Sequence, residues 1–122
     1  MTNQISIFLR NVGFRATYAG FPFLVCAISL VILEEDYLRC LTKRLYPDVA
    51  RRFGVSPAAV EHDIRSLFSA FWTQGNGSLL EKHLGYPLRS RPFTGEFIDI
   101  LASSFLLSSS ACLLYTSPSP RD

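Results

Sequence analysis

Apolar residues recur at spacings of three and four along most of the chain, and a strict alternation of apolar and polar positions is absent. Spacings of three and four place apolar side chains on one face of a helix, whereas strands alternate every second residue. The pattern therefore predicts an all-α fold, a small helical bundle of about six helices.

The first part of the chain predicts three helices. The first covers residues 4–11 and is ended by Gly13. The second covers residues 22–33, where Pro22 suits a first helical turn, and it is apolar nearly all round, which predicts burial in the centre of the bundle. The acidic residues 34–36 interrupt the pattern, and residues 37–45 form the third helix. The predicted inward residues are Ile5, Phe8, Leu9 and Val12 in the first helix and Leu38, Leu41 and Leu45 in the third, where Lys43 and Arg44 face outward.

The stretch RRFGVSPAAVEHDIRSLF, residues 51–68, joins two further helices through a glycine. Pro47 opens the first of these helices and Gly54 ends it, because glycine enters the left-handed conformation without steric cost. Ser56 is a suitable N-cap, and Pro57 a suitable first residue, for the helix that follows. The predicted inward residues are Val49, Ala50 and Phe53 before the glycine and Val60, Ile64, Leu67, Phe68 and Phe71 after it, a stripe that ends near Trp72.

The last part of the chain predicts a loop over residues 74–78, a short helix over 79–84 and an extended or turning connection over 85–95. A final helix covers residues 96–107. Its predicted inward residues are Phe97, Ile98, Leu101 and Phe105.

The two central helices have the parts of a helix-turn-helix, which needs a small residue where the helices cross and a turn residue that takes positive φ. Ala50 and Gly54 supply these parts, and Val60 helps to fix the angle between the helices. A helical hairpin that serves only packing would share the same features, so the spacing alone leaves both alternatives open. In the DNA-binding alternative the base-facing residues are Ser56, Ala58, Ala59, Glu61, His62 and Arg65, and Arg51 and Arg52 lie where phosphates pass.

The length and charge of the chain indicate one domain without a strong overall preference for a charged partner. The chain has 122 residues, and residues 1–111 are assigned to the domain. Twelve Lys and Arg against ten Asp and Glu give a net charge of +2. Between Arg39 and Arg65, however, six basic residues face three acidic ones, so the positive excess coincides with the central helix pair.

The three cysteines, Cys26, Cys40 and Cys112, form no C-x-x-C pair and no set of metal ligands with His62 or His83. This predicts reduced thiols in a cytoplasmic protein, with no metal and no cofactor. The uncharged run 21–33 has thirteen residues. A membrane span needs about 20, so the sequence predicts no membrane helix.

The last eleven residues, CLLYTSPSPRD, differ in composition from the rest of the chain. They read as an in-frame translation of a sequence that resembles the transposase-end adapter of sequencing libraries. Residues 112–122 are therefore assigned to a non-native tail and left out of the predicted domain.

Three segments carry a resemblance to a known family. They are TKRLYPDVARRFGVSPAAVEHDIRSLFSAFW at 42–72, NVGFRATYAGFPFL upstream and RPFTGEFIDILA downstream. Together they resemble the DNA-binding effector domain of the stage zero sporulation protein A family, a response regulator of endospore formation. The likeness runs from about Ile7 to Phe105, and its most specific parts are TKxLYPD, VExxIR, Trp72 and PxTxEFI.

The resemblance implies an all-helical domain without a wing that binds double-stranded DNA at a box resembling TGTCGAA, often as a tandem homodimer, and regulates transcription with RNA polymerase as a further partner. Glu61 and Arg65 match the recognition-helix residues of the family. Ala58 and Ala59 stand where the family has Ser-Arg, and His62 where it has a second arginine, so weaker or altered sequence preference is expected. The phosphate contacts are assigned to Lys43, Arg51, Arg52, Arg89 and Arg91, and for Arg89 and Arg91 a solvated loop is the equal alternative.

The substitutions at Ala58 and Ala59 also support a different class of function. A domain that reads DNA poorly could act as a protein-interaction module that pairs with a full-length relative. Nothing in the sequence corresponds to the receiver domain of such a relative, so we expect a stand-alone paralogue or a fragment. An enzyme is not expected, because neither His62 nor His83 has a partner at a spacing that suggests a catalytic dyad.

Overall fold

The structure of the chain, a computed structural model, describes residues 2–85, 87–88 and 92–116. Within these residues it contains helices and no strands, which confirms the all-α fold. The six α-helices are α1 (Thr2–Val12), α2 (Gly20–Leu33), α3 (Tyr46–Phe53), α4 (Pro57–Thr73), α5 (Gly77–Leu84) and α6 (Thr94–Thr116). A 3₁₀ turn (Glu35–Arg39) and a π-helical turn (Leu41–Leu45) lie between α2 and α3.

Helix α2 occupies the centre of the bundle and contacts α1, α3, α4 and α6. It is apolar on almost every side because it has neighbours on almost every side. The inward residues predicted for α1 are confirmed, since Ile5, Phe8, Leu9 and Val12 are all buried. Helix α2 begins two residues earlier than predicted, at Gly20.

The predicted third helix over residues 37–45 is wrong. The chain instead makes the 3₁₀ turn, leaves helical geometry at Cys40, and then enters the π-helical turn that continues directly into α3. Pro47 explains the wider turn, because a proline inside a helix has no N–H to donate and its ring clashes with the carbonyl four residues earlier. Of the predicted inward residues, Leu45 is buried, whereas Leu38 and Leu41 are half-buried.

The C-terminal half of α4 contributes to an aromatic cluster. The cluster consists of Phe68, Phe71 and Trp72 of α4 with Phe14 and Phe97. Phe14 stacks on Phe71 with ring centroids 4.1 Å apart, and Phe97 stacks on Phe68 at 4.2 Å. The remaining pairs meet edge to face, as aromatic rings prefer. The cluster fixes α4 against α6 and the segment after α1.

Phe53 was predicted to point inward, and this prediction is wrong. Its side chain is 43% exposed, because it lies in the last turn of α3, beyond the region that α4 covers. One edge still contacts the ring of Phe23 in α2, with centroids 5.1 Å apart. Val49 and Ala50, the other two residues predicted to be inward, are buried.

The last two helices are longer than predicted. Helix α5 begins at Gly77, and α6 covers Thr94–Thr116 where the sequence indicated residues 96–107. Phe97, Ile98, Leu101 and Phe105 are buried as predicted. Helix α6 enters the segment assigned to a non-native tail, and the origin of residues 112–122 stays a prediction.

Candidate nucleic-acid interface

The connection between α3 and α4 is a tight turn that is held at both ends. Gly54 ends α3 in the left-handed conformation, with φ of 68°. The carbonyl of Ala50 accepts the N–H of Gly54 and, at 3.1 Å, the N–H of Val55. At the start of α4, Oγ of Ser56 accepts the N–H of Ala59 at 3.1 Å. The predicted roles of Gly54 and Ser56 are thereby confirmed.

Replacing Ser56 with alanine is expected to lower the free energy of unfolding by about 1 kcal/mol, because the N–H of Ala59 loses its side-chain acceptor and keeps only the backbone carbonyl of residue 56. Aspartate at this position keeps an acceptor and should retain the stability of the parent. The change is measured by urea denaturation, with Ser66→Ala on the exposed face of α4 as the matched control. A Ser56→Ala variant as stable as the Ser66→Ala variant would contradict the cap.

Helix α4 presents one face to the core and the opposite face to solvent. The buried residues Val60, Ile64, Leu67, Phe68 and Phe71 form the inner face. Ser56, Ala58, His62 and Arg65 are exposed, and Ala59 and Glu61 are half-buried at the edges of the outer face. The six residues predicted to face bases are thus together on or beside the first two turns of α4, where a helix-turn-helix reads the major groove.

The charged groups on this face differ in how available they are. Nδ1 of His62 lies 3.3 Å from a carboxylate oxygen of Asp63, its sequence neighbour. Within the described residues, Arg65 has no carboxylate at ion-pair distance, so its guanidinium is available to a ligand. Glu61 and Arg65 both lie close enough to Tyr46 in α3 to influence it electrostatically. Burial raises the pKa of the Tyr46 hydroxyl, Glu61 raises it further, and Arg65 opposes the shift.

The basic residues predicted to contact phosphates have different surroundings. Arg51 pairs with the carboxylate of Asp48, which also accepts the hydroxyl of Tyr37. Arg52 turns toward α2, where its charge lowers the pKa of the Cys26 thiol against the larger, opposing effect of burial.

Lys43 is exposed in the π-helical turn before α3. It lies eight positions before Arg51, which is roughly 12 Å at the usual helical rise, so the two residues would contact different phosphates. Arg89 and Arg91 lie outside the described residues.

Arg44 was predicted to face outward, and the structure gives it two partners that the sequence pattern did not indicate. Its guanidinium lies over the ring of Tyr37 at 4.5 Å and bonds Glu34 at 2.9 Å. This hydrogen bond lowers the pKa of Glu34 and raises the pKa of Arg44. Glu34 and Arg44 are ten positions apart, which is no regular helical spacing, so no sequence signal pairs them.

In the part of the chain that the structure describes, no helix combines the length and apolarity that crossing a membrane requires. The same residues contain no cluster of three or more His, Cys, Asp or Glu side chains that could hold a metal ion.

The sequence matches one family model, described as the sporulation initiation factor Spo0A C terminal, over residues 5–105. The match covers α1 to α5 and the part of α6 whose inward residues are buried. It includes every residue of the helix-turn-helix described above.

Proposed function

We propose, from the premise that this chain belongs to the family of the sporulation initiation factor Spo0A C-terminal domain, that it regulates transcription by binding DNA. In this proposal α4 lies in the major groove of double-stranded DNA. The family is that of a DNA-binding effector domain of a sporulation regulator and is not an enzyme family. The observation that carries the proposal is the outer face of α4, where Arg65 is exposed and unpaired among the described residues, opposite a fully buried stripe.

Four of the base-facing residues suit three kinds of base contact. The guanidinium of Arg65 can donate two hydrogen bonds to O6 and N7 of guanine. The carboxylate of Glu61 can accept from the amino group of cytosine. The methyl groups of Ala58 and Ala59 can only contact apolar groups such as the methyl of thymine. Sequence-specific DNA binding is therefore expected to depend on Arg65 and Glu61 more than on Ala58 and Ala59.

The phosphate contacts are divided between the turn before α3 and the last turn of α3. Lys43 offers an exposed ammonium group in the turn, and Arg51 and Arg52 lie at the end of the helix. Arg51 is partly neutralised by Asp48, so we expect Lys43 to contribute more to affinity than Arg51. Arg89 and Arg91 are proposed as further phosphate contacts on the strength of the sequence alone.

Replacing Arg65 with alanine is expected to weaken binding to a duplex that contains the box TGTCGAA about 10- to 100-fold, because one bidentate guanine contact is lost. Binding to a duplex with the box scrambled should change far less. Lys43→Ala should instead weaken binding to both duplexes similarly and lower the salt slope by about 1. The measurement is fluorescence anisotropy of labelled duplexes at several salt concentrations.

Lys82→Ala serves as the matched control for these variants, because Lys82 is an exposed cation on α5, outside the helix-turn-helix. It should leave both affinities close to those of the parent. An Arg65→Ala variant that binds the box as tightly as the parent would refute the placement of α4 in the groove.

A second candidate function is a protein-interaction module that pairs with a full-length relative. It is favoured by Ala58 and Ala59, which leave the start of α4 without a side-chain donor for bases. If the parent chain binds both duplexes equally and with a steep salt dependence, its DNA binding is non-specific and this second function gains support. A clear preference for the box would exclude it.

The family relation also supports three broader proposals. The chain would act in the cytoplasm, where the DNA of a sporulating bacterium lies. It would bind neighbouring boxes as a tandem homodimer, and it would contact RNA polymerase from DNA.

A further inference from the structure

A groove of about 640 Å³ lies between α1, α2 and the end of α3, beside the helix-turn-helix. Its floor is one side of α2, and its two walls are the outer side of α1 with the segment that follows it and the last turn of α3. The floor includes Phe21, Val25, Cys26 and Ser29, and the walls include Ser6, Arg10, Ala16, Arg52 and Phe53.

The floor of the groove is mainly hydrocarbon. Phe21 and Cys26 are buried beneath it, and Val25 is half-buried. The hydroxyl of Ser29 donates to the carbonyl of Cys26 at 2.7 Å, so its donor is already used inside α2. Burial raises the pKa of the Cys26 thiol, which stays neutral at ordinary pH. An aliphatic chain on this floor would therefore meet no charge.

The walls add two cations without a compensating anion. Arg10 projects from α1 and Arg52 from α3, and no acidic residue is among the described residues that line the groove. The ion pairs found among the described residues involve Arg44, Arg51 and His62 instead. Arginine side chains at an apolar site favour a carboxylate, which can accept two parallel hydrogen bonds from one guanidinium.

From these observations we infer that the groove binds an amphipathic carboxylate with a single aliphatic chain, a ligand of the medium-chain fatty acid class. The chain would lie along α2, and the carboxylate would meet Arg10 and Arg52. The volume lies within the range of roughly 300 to 1,000 Å³ that is usual for small-molecule sites.

The inference has a consequence for DNA binding that rests on the proposed function. Arg52 belongs both to the groove and to the residues proposed to contact phosphates. A carboxylate that occupies Arg52 would compete with the DNA backbone for the same guanidinium. The ligand would then weaken DNA binding.

The binding itself is tested by titrating the full ¹⁵N-labelled chain with decanoate and following amide shifts by NMR. We expect saturable shifts at Val25, Cys26 and Phe53, with a Kd of roughly 0.1 to 1 mM. Acetate, which lacks the chain, should produce no saturable shift. Decyltrimethylammonium, which carries the opposite charge, should bind about 10-fold more weakly or not at all.

Variants of residues in the groove distinguish a specific site from non-specific binding to apolar surface. Arg10→Gln and Arg52→Gln should each weaken decanoate binding about 3-fold, as expected for exposed ion pairs. Arg15→Gln, at an exposed arginine outside the groove, should not. Ala16→Trp fills the groove from an exposed position and should abolish binding while the spectrum stays dispersed. Equal weakening by all three glutamine variants, or shifts centred on exposed Leu33, would overturn the inference.

Competition is measured by repeating the anisotropy titrations at saturating decanoate. The parent should lose about 2- to 5-fold in DNA affinity, and the Arg52→Gln variant should lose less. Decanoate that binds the groove without affecting DNA affinity would overturn the shared use of Arg52. A chain that never prefers the box would overturn the proposed function but leave decanoate binding as its own result.

Discussion

Replacing Phe97 with alanine is expected to lower the free energy of unfolding by about 3 to 5 kcal/mol, the largest loss we expect from one substitution in this chain. Phe97 is fully buried in α6 and stacks on Phe68 at 4.2 Å. It also meets Phe71 edge to face at 5.7 Å. The substitution removes these ring contacts together with those to Phe14 and Trp72, and it leaves a cavity behind α4 that rigid neighbouring helices can fill only in part.

The Phe97 substitution is measured by urea or guanidinium denaturation, with the slope of the transition compared between variants. Phe93→Ala is the matched control, because the same atoms are removed from a side chain that is 85% exposed. It should change the free energy of unfolding by no more than about 0.5 kcal/mol. Similar losses at Phe93 and Phe97 would contradict the described packing of the aromatic cluster.

Replacing Gly20 with alanine is expected to destabilise the chain by about 3 kcal/mol through steric overlap. A Cβ at Gly20 would lie 2.2 Å from the carbonyl oxygen of Asp63 and 2.7 Å from its carbonyl carbon. These are backbone atoms of α4, so no side-chain rotation relieves the overlap, and α2 and α4 must move apart. The movement would shift α4 as well as weaken the core.

The control for Gly20 is Gly95→Ala, the same exchange in the first turn of α6. A Cβ at Gly95 would meet only the side chain of Leu41, with Cδ1 nearest at 2.8 Å, and the end of a flexible side chain can move away. Since alanine also favours helix over glycine by about 1 kcal/mol, Gly95→Ala should be close to neutral or stabilising. Thermal denaturation of both variants provides the comparison, and equal stabilities would contradict the close approach of α2 to α4.

These two substitutions act on opposite sides of one functional element. On one side, Phe68 and Phe71 join α4 to the aromatic cluster. On the other side, α2 approaches the backbone of α4 at Asp63, because Gly20 has no side chain there. Both contacts fix the position of α4 in the bundle. We therefore expect Gly20→Ala, where it still folds, to reduce the preference for the box more than a change in stability alone would.

Much of the helix-turn-helix could be predicted from local sequence. Ser56 as N-cap and Gly54 as the left-handed residue depend on a few neighbouring backbone groups, which the residue types specify directly. The apolar stripe of α4 depends only on helical period, and all five of its residues are buried. The π-helical turn before α3 was missed, because Pro47 fits both the start of a new helix and a widened turn in a continuous one.

The sequence indicated where the candidate site lies. It did not indicate which of the basic side chains there are free of partners. Five basic residues at Lys43, Arg44, Arg51, Arg52 and Arg65 look equivalent in the sequence. In the structure Arg44 and Arg51 are paired with carboxylates, and Arg52 lies in the groove over α2. Of these five residues, only Lys43 and Arg65 are exposed and, within the described residues, neither paired with a carboxylate nor part of the groove.

The sequence by itself determined that the chain is helical, where α4 begins, and which of its faces is buried, because helical period and capping involve residues within a few positions of each other. The tertiary structure decided which charges are paired and which helices enclose the groove. Glu34 reaches Arg44 across ten positions, Tyr37 reaches Asp48 across eleven, and the groove joins α1, α2 and α3. Such contacts depend on how the helices pack, and local sequence does not specify that packing.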